Sequence, residues 1–261
     1  MTAQQLEAEY DSMADEYDAT RGSATQVELD ALVRSLGASV SVLDVGVGTG
    51  RFAKPLSDLG YEVTGLDISR RMLSKAREKG LQRLLVGDAY KLPFADKSFD
   101  AAIIIHVLHV VVGWTTVMRD MGRVTKGPVM SILRVPQGES GNVSPPTPAA
   151  AVSDLAGQSA SVRRGYPVRT QHRMWQNELE LKARVPPVKL ERIRDETISL
   201  PVADAIRSLH AKRAMGAQIV PPEIREQMLE RIISMTGGQT VQRRVVEDLA
   251  VWSADDLSAL T

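Results

Sequence analysis

The sequence predicts an α/β protein built on a doubly wound parallel sheet with helices on both faces. Three observations lead to this prediction. The first half of the chain alternates short apolar runs with helical patterns. A glycine-rich turn at residues 46–50 joins one buried run to a helix, and Asp67 and Asp88 fall at the ends of the next two runs. With 261 residues and 43% hydrophobic content, the chain can bury one sizeable core.

The elements of the first half follow from apolar periodicity and end signals. Helix 27–37 places Ala31, Leu32 and Leu36 on one face and stops at Gly37, and a second helix follows Ser69, a suitable N-cap. The apolar runs predict five strands, at residues 40–45, 61–67, 81–86, 100–107 and 129–135.

The second half is less regular. Residues 138–157 are rich in Gly, Ser, Pro and Ala, which is typical of an exposed connection or a mobile lid. Beyond it we expect one helix, two strands with a helical pair between them, and no internal repeat; the helix is 172–184, the strands are 188–200 and 241–253, and the helical patterns are 202–215 and 221–235.

Composition excludes several classes of protein. The chain has no cysteine, which removes disulfides, thiolate nucleophiles and cysteine-ligated metals. The formal net charge is zero, which argues against nucleic-acid binding, and we interpret the nine bases of residues 163–194 as a solvated surface. The apolar run 101–112 is too short to span a bilayer, and the N-terminus lacks a signal-peptide pattern. We therefore expect a cytoplasmic protein without a membrane segment.

The glycine-rich turn suggests a ligand. In SVLDVGVGTGRFAKPL, residues 41–56, glycines at 46, 48 and 50 allow a tight turn and close backbone approach. A dinucleotide fingerprint needs its third glycine at position 51, where this chain has Arg51. The spacing favours S-adenosylmethionine over NAD, and a turn without any ligand is the alternative.

Three carboxylates agree with an adenosyl ligand. Asp67 ends the second strand, where it can accept hydrogen bonds from both hydroxyls of a ribose. Asp88 follows the third strand and can accept from an adenine amino group. Asp44 lies inside the first strand between apolar residues, where a carboxylate is costly unless a cation lies near it.

Four segments together make the chain resemble the class I S-adenosylmethionine-dependent methyltransferases. They are YDSMADEYDATRG (10–22), LDVGVGTGR (43–51), VTGLDIS (63–69) and GDAYKLPFADKSFD (87–100). The resemblance covers residues 10–135 and is to the type 11, small-molecule branch, which includes the ubiquinone and menaquinone methyltransferases.

The resemblance implies a Rossmann-like sheet of seven strands, mostly parallel with the last strand antiparallel, and lid insertions. We expect one domain, 1–261, with a cofactor-binding half (1–135), a lid or connection (136–171) and a C-terminal half (172–261) that holds the helical pair 202–235. By the same resemblance the cofactor would contact an N-terminal helix and the ends of three strands, through Tyr17, Arg21, Asp44, Gly46, Gly48, Gly50, Asp67, Ile68, Asp88 and Ala89.

The predicted activity is in-line methyl transfer to an unidentified small molecule, with S-adenosylhomocysteine as product and no metal. Alignment in a dry pocket does most of this chemistry, and a histidine could serve as general base. The candidates are His106, at the end of the fourth strand, and His109, and either could instead pack as a structural side chain. The alternatives are an RNA or protein methyltransferase that uses the 163–194 segment, and a silent S-adenosylmethionine-binding module. We expect a monomer or a homodimer.

Overall fold

The computed structural model describes residues 3–15, 17–134, 176–202, 227, 230–231, 233–234 and 238–261. Seven strands form one sheet in the order β3-β2-β1-β4-β5-β7-β6. In chain order they are β1 Ser41–Val45, β2 Glu62–Asp67, β3 Leu84–Val86, β4 Ala101–Ile103, β5 Pro128–Arg134, β6 Lys189–Pro201 and β7 Thr240–Ser253.

Helices cover both faces of this sheet. They are α1 Ala3–Met13, α2 Tyr17–Arg21, α3 Gln26–Leu36, α4 Ala53–Asp58, α5 Arg70–Glu78, α6 Trp114–Val124, α7 Gln176–Arg184 and α8 Ala254–Ser258. The predicted N-cap of α5 is confirmed, because the Ser69 hydroxyl accepts from the Met72 N–H at 3.1 Å. The predicted lid 136–171 and nearly all of the helical pair 202–235 lie outside the described residues.

Strand directions bring the functional ends together. β1 runs parallel to β2 and β4, and β4 runs parallel to β5, whereas β7 is antiparallel to β5. Arg134, the last residue of β5, lies opposite Glu247 of β7. The carboxyl ends of β1, β2, β4 and β5 therefore meet at one edge, which confirms the predicted fold class.

Two apolar cores lie on the two faces. The alternation of a strand sends Leu43 of β1 to the core that contains α6 and Trp252, and its neighbour Val42 to the core that contains α3, α4 and α5. Leu32 of α3 and Met121 of α6 are fully buried, one in each core. This two-sided burial explains why the predicted strands are continuous apolar runs.

Two strand boundaries differ from the sequence prediction. The fourth strand, predicted as 100–107, ends at Ile103, although the Ile104 N–H still donates to the Met130 carbonyl at 3.0 Å. His106 has a φ of 60°, a left-handed conformation that no strand accommodates, so it lies in the loop beyond β4 rather than at the strand's end. The third strand begins at Leu84 instead of 81, because the Leu81 N–H donates to the Ala76 carbonyl of α5 at 3.3 Å rather than to a neighbouring strand.

The chain divides into two compact units. One comprises Met1–Val135, Arg173–Arg194 and Glu247–Thr261, and it contains all of the residues discussed below as a site. The other comprises Pro136–His172 and Asp195–Val246. Within the second unit, the Arg244 guanidinium makes two hydrogen bonds to Asp195, at 2.8 and 2.9 Å. Across the described ranges, no helix combines the length and apolarity that crossing a membrane requires.

Candidate functional site

The glycine loop after β1 is shaped by close contacts on two of its glycines and by open space at the third. All three have positive φ, at 74° for Gly46, 56° for Gly48 and 84° for Gly50. A Cβ on Gly46 would lie 2.2 Å from Val107, and one on Gly50 would lie 2.6 Å from Leu81. A Cβ on Gly48 would meet no atom within 4 Å. The loop therefore packs tightly at its two ends and leaves room for a ligand at its middle.

Asp67 holds this loop and the start of α5 in place. One carboxylate oxygen accepts from the Gly48 N–H at 2.8 Å and the other accepts from the Ser69 N–H at 2.9 Å. Burial raises the pKa of the Asp67 carboxyl, and these backbone bonds oppose the increase. Because each carboxylate oxygen has a second lone pair, Asp67 can accept further hydrogen bonds from a ligand beside Gly48.

Asp44 is a buried carboxyl in the middle of the sheet, in β1. Its side chain is 4% exposed, and none of the described residues donates a hydrogen bond to it. Burial raises its pKa to about 8, and the neighbouring Asp67 carboxylate adds to the increase. A ligand that brought a positive charge would remove this cost.

The N-terminal helices place two tyrosines and an arginine near Asp67. Burial is the largest cause of the raised pKa values of Tyr10 and Tyr17, and the Asp67 charge contributes to both. The Arg21 guanidinium lies 5.6 Å from the centre of the Tyr17 ring, and its buried Nε has no acceptor in the described part of the chain. This group of side chains therefore lies over the end of β2.

A row of ion pairs fixes these helices to α5. Asp15 bonds to Arg71 at 2.5 Å and to Lys75 at 3.1 Å, and Asp18 bonds to Lys79 at 2.6 Å. The three bases recur every four residues and so share one face of α5. Two acidic side chains of the N-terminal segment, Asp15 and Asp18, are thus neutralised by contacts within the molecule.

Asp88 and Ala89 lie at the edge of the same region. One Asp88 oxygen accepts from the Tyr90 N–H at 3.0 Å, which forms a tight turn after β3. Ala89 packs, half-buried, against the core that contains Trp252. Ile68 follows Asp67 directly, and its backbone N–H acts to lower the pKa of the Asp67 carboxyl.

The two candidate histidines lie in the loop after β4 among cations. Burial lowers the pKa of His106 to about 3 and that of His109 to about 4, and Arg134 and Arg21 act in the same direction on both. Neither imidazole has a hydrogen-bond partner in the described part of the chain. Both rings are therefore neutral at physiological pH, and both are weak proton acceptors.

Two charged residues of this region were missed from the sequence. Arg134, at the carboxyl end of β5, donates from Nε to Glu247 at 3.2 Å. Glu178, on α7, is 6% exposed, and its carboxyl interacts with Arg134. Arg134 could have been noticed as a charge at the end of a predicted strand. Glu178 has no local signal, because its surroundings come from β5, far away in the sequence.

Comparison with known proteins identifies the segment that carries the glycine loop. Residues 43–128 match the family described as a methyltransferase domain. Demethylmenaquinone methyltransferase of Renibacterium salmoninarum is 37% identical over 130 residues, which are 47% of this chain and 54% of the relative. Malonyl-[acyl-carrier protein] O-methyltransferase of Erwinia pyrifoliae is 40% identical over 95 residues, 34% of this chain and 35% of the relative. The chain thus spans about half, or less, of the length of these relatives.

One solved structure resembles nearly the whole chain. The [4+2]-cyclase SpnF is 19% identical, and the alignment covers 96% of each chain with a TM-score of 0.52. At this identity the likeness concerns the fold alone. The match over residues 43–128 agrees with the type 11 domain of the class I S-adenosylmethionine-dependent methyltransferases that the sequence motifs predict.

Proposed function

We propose that this chain is an S-adenosylmethionine-dependent methyltransferase that acts on a small-molecule acceptor. The observation that carries the proposal is Asp67, whose carboxylate is held by the N–H groups of Gly48 and Ser69 beside the open part of the glycine loop. The loop belongs to the segment that matches the methyltransferase domain.

The donor side of this site suits S-adenosylmethionine. We assign the ribose hydroxyls to Asp67, the adenine to Asp88, Ala89 and Ile68, and the methionine part to the glycine loop. The ligand's ammonium group would compensate Asp44, which is buried with no hydrogen-bond donor in the described part of the chain. Arg21 would then hold the ligand's carboxylate, since its buried Nε has no acceptor among the described residues.

A small acceptor agrees with the charges of the described chain. In the described half of the basic segment 163–194, Arg192 pairs with Asp248, Arg194 lies 3.8 Å from Glu247, and Lys189 lies 2.8 Å from Glu191. Bases that are neutralised in this way provide no continuous surface for a polyanion. The named relatives act on different acceptors, so the names leave the acceptor of this chain open.

The residues of the site contribute mainly by alignment. S-adenosylmethionine supplies a methyl group on a positively charged sulfur when it is bound. The glycine loop and Asp67 fix the donor, while the loop after β4 excludes water and orients the acceptor; alignment of this kind contributes about 7 to 11 kcal/mol. The neutral imidazoles of His106 and His109 can hydrogen-bond to an acceptor without taking its proton.

The proposal is tested by binding first and by turnover second. Calorimetry should detect S-adenosylmethionine and S-adenosylhomocysteine at micromolar affinity or better and should detect no NAD; binding of NAD alone would reverse the assignment. Transfer of a labelled methyl group to a panel of phenols, carboxylic acids and amines then separates an enzyme from a silent binding module. Binding of both adenosyl ligands without transfer to any compound in the panel would support the silent module.

A further inference from the structure

Glu178 is a buried carboxyl that no contact within the described chain satisfies. Its side chain is 6% exposed, and its buried Oε2 has no hydrogen-bond donor among the described residues. Such a group is costly to keep, because burial without a partner disfavours its charged form. A carboxyl retained under these conditions calls for an explanation beyond the fold.

The helix that carries Glu178 is fixed to the loop of the two histidines. The side-chain amide of Asn177 donates to the Leu108 carbonyl at 2.6 Å and to the Val111 carbonyl at 2.7 Å. These two carbonyls lie on either side of His109 in sequence. The residue next to Glu178 therefore anchors α7 to the loop that follows β4, at the ligand-binding edge of the sheet.

Burial shifts the pKa of Glu178 and the pKa values of the two histidines in opposite directions. Burial raises the pKa of Glu178 to about 8, while Arg134 and Lys182 oppose the increase. The same Arg134 acts on His106 and His109, whose pKa values fall to about 3 and 4, chiefly through burial. A general base works best when its pKa lies near the working pH. In this site the carboxyl meets that condition and the imidazoles do not.

We propose that Glu178 is the general base of the methyl transfer and that the acceptor therefore carries a proton on its nucleophilic oxygen, nitrogen or carbon. The proposal rests on the proposed function. Glu178 accepts that proton, and the freed electron pair of the acceptor attacks the methyl carbon. The attack breaks the methyl–sulfur bond and leaves its electron pair on a neutral sulfur. Glu178 keeps this proton until the next S-adenosylmethionine binds, and its positive charge then drives the proton to solvent.

This role explains why an unpaired carboxyl is useful here. Without a ligand, Glu178 stays protonated at neutral pH. A positive sulfur nearby favours the carboxylate, so Glu178 ionises in the donor complex. Once the sulfur has become neutral, the carboxyl regains its affinity for a proton. The base is therefore active only while the methyl donor is bound.

Infrared titration of the glutamate carboxyls, isotopically labelled, tests the placement without an acceptor. The band that Glu178→Gln removes should titrate at a pH about one unit lower with S-adenosylmethionine than with S-adenosylhomocysteine, because the two ligands differ by one charge at the sulfur. Glu180→Gln, a matched change two residues away on α7, should leave that band in place. If Glu178→Gln fails to fold, Lys182→Gln assigns the band instead, since it should raise the midpoint.

The outcomes separate this inference from the proposed function. If both ligands bind and the titration is the same in both complexes, Glu178 lies away from the sulfur and the inference fails alone. If neither ligand binds in calorimetry, the proposed function and the inference fail together. Absence of any carboxyl band that responds to Glu178→Gln or Lys182→Gln would also overturn the inference.

A pair of acceptors tests the chemical role. For an acceptor that still carries its proton at the assay pH, Glu178→Gln should lower turnover about a hundredfold or more. For a related acceptor that is already ionised, such as a nitrophenol compared with an unsubstituted phenol, the loss should be small. Equal losses for both would identify Glu178 as a positioning residue and overturn the base role.

Discussion

The two sides of the sheet's carboxyl edge differ in how their charged residues are distributed along the sequence. The proposed donor side, at the ends of β1, β2 and β3, presents the carboxyls of Asp44, Asp67 and Asp88 along short continuous motifs. The proposed acceptor side, at the ends of β4 and β5, gathers Arg134 and Glu178 from separate parts of the chain. Local backbone geometry therefore determines the donor side, whereas the packing of distant segments determines the acceptor side.

Gly46→Ala should give the largest loss of stability, because it changes the contact between the glycine loop and the loop after β4. The new Cβ would lie 2.2 Å from Val107 and would have to adopt a φ of 74°. Strain and overpacking together should lower the free energy of unfolding by about 3 kcal/mol in a denaturant titration. Gly48→Ala is the matched control, with strain but no contact, and should lose about 1 kcal/mol. Equal losses for the two variants would show that the contact with Val107 has no energetic weight.

Asp67→Asn should weaken the donor side alone. The NH2 group that replaces one oxygen cannot accept a hydrogen bond, so the bond from either Gly48 or Ser69 is lost and the bonds to the ribose are weakened. Affinity for S-adenosylhomocysteine should fall by about 2 kcal/mol, roughly thirtyfold, in calorimetry. Asp88→Asn affects a single bond, which Asp88 accepts from the Tyr90 N–H, and should lower the affinity less. An unchanged affinity in Asp67→Asn would remove the ribose assignment.

The buried carboxyls of Asp44 and Glu178 should make the free energy of unfolding fall between pH 6.5 and pH 8. The pKa of Asp44 is about 8 in the folded chain against an ordinary value of 3.8, so the unfolded chain releases a proton that the folded chain keeps. Each pH unit in this window lowers the free energy of unfolding by up to about 1.4 kcal/mol for that group. His106 and His109 have lowered pKa values and act in the opposite direction, but only below their ordinary value of 6.5.

Urea titrations at the two pH values measure this slope. Asp44→Asn should make the decrease in the free energy of unfolding between these pH values smaller by up to about 2 kcal/mol. Glu178→Gln should reduce the decrease by a similar amount, since the pKa of Glu178 is also about 8. The donor side and the acceptor side would then carry the same electrostatic cost despite their different construction. A wild-type stability that is flat over this range would contradict both assignments.

The smallest effect should come from the ion pairs that fix α1 and α2 to α5. Lys75→Gln removes the bond to Asp15, and salt weakens such exposed pairs. Affinity for S-adenosylhomocysteine should fall about twofold, and the salt dependence of binding should become shallower. Lys54→Gln, which breaks a pair with Asp58 within α4, should leave both unchanged. A salt dependence identical to that of the wild type would show that the N-terminal helices do not close over the ligand.

The sheet and the donor side could be predicted because their signals are local. Positive φ at Gly46 and Gly48 requires glycine there, and a carboxylate after a buried strand marks Asp67. The number of seven strands and the antiparallel last strand came from the family resemblance rather than from the apolar pattern, and the strand order was not predicted. Where the pattern was used alone, it extended β4 to residue 107, because IIIHVLHVV stays apolar after the chain has left the sheet.

The acceptor side could not be predicted in the same way. The pKa of Glu178 depends on burial and on Arg134, and neither is visible in the helical pattern of residues 172–184. The sequence also directed attention to His106 as the base, since histidine is the usual proton acceptor near neutral pH. Only the folded chain buries this imidazole near arginines, and burial above all lowers its pKa to about 3. His106 and His109 as catalytic bases stay a prediction that the proposed role of Glu178 opposes.

The contact between Gly46 and Val107 also bears on how such a protein could change its acceptor. Val107 fills the space that a Cβ at position 46 would occupy, so this contact joins the glycine loop to the loop after β4. A larger residue at 107, introduced to reshape the acceptor space, would press on the loop that holds the donor. Val112, five residues on and 77% exposed, is free of that restriction. Evolution or redesign of acceptor preference therefore has more freedom in the later part of this loop than at its start.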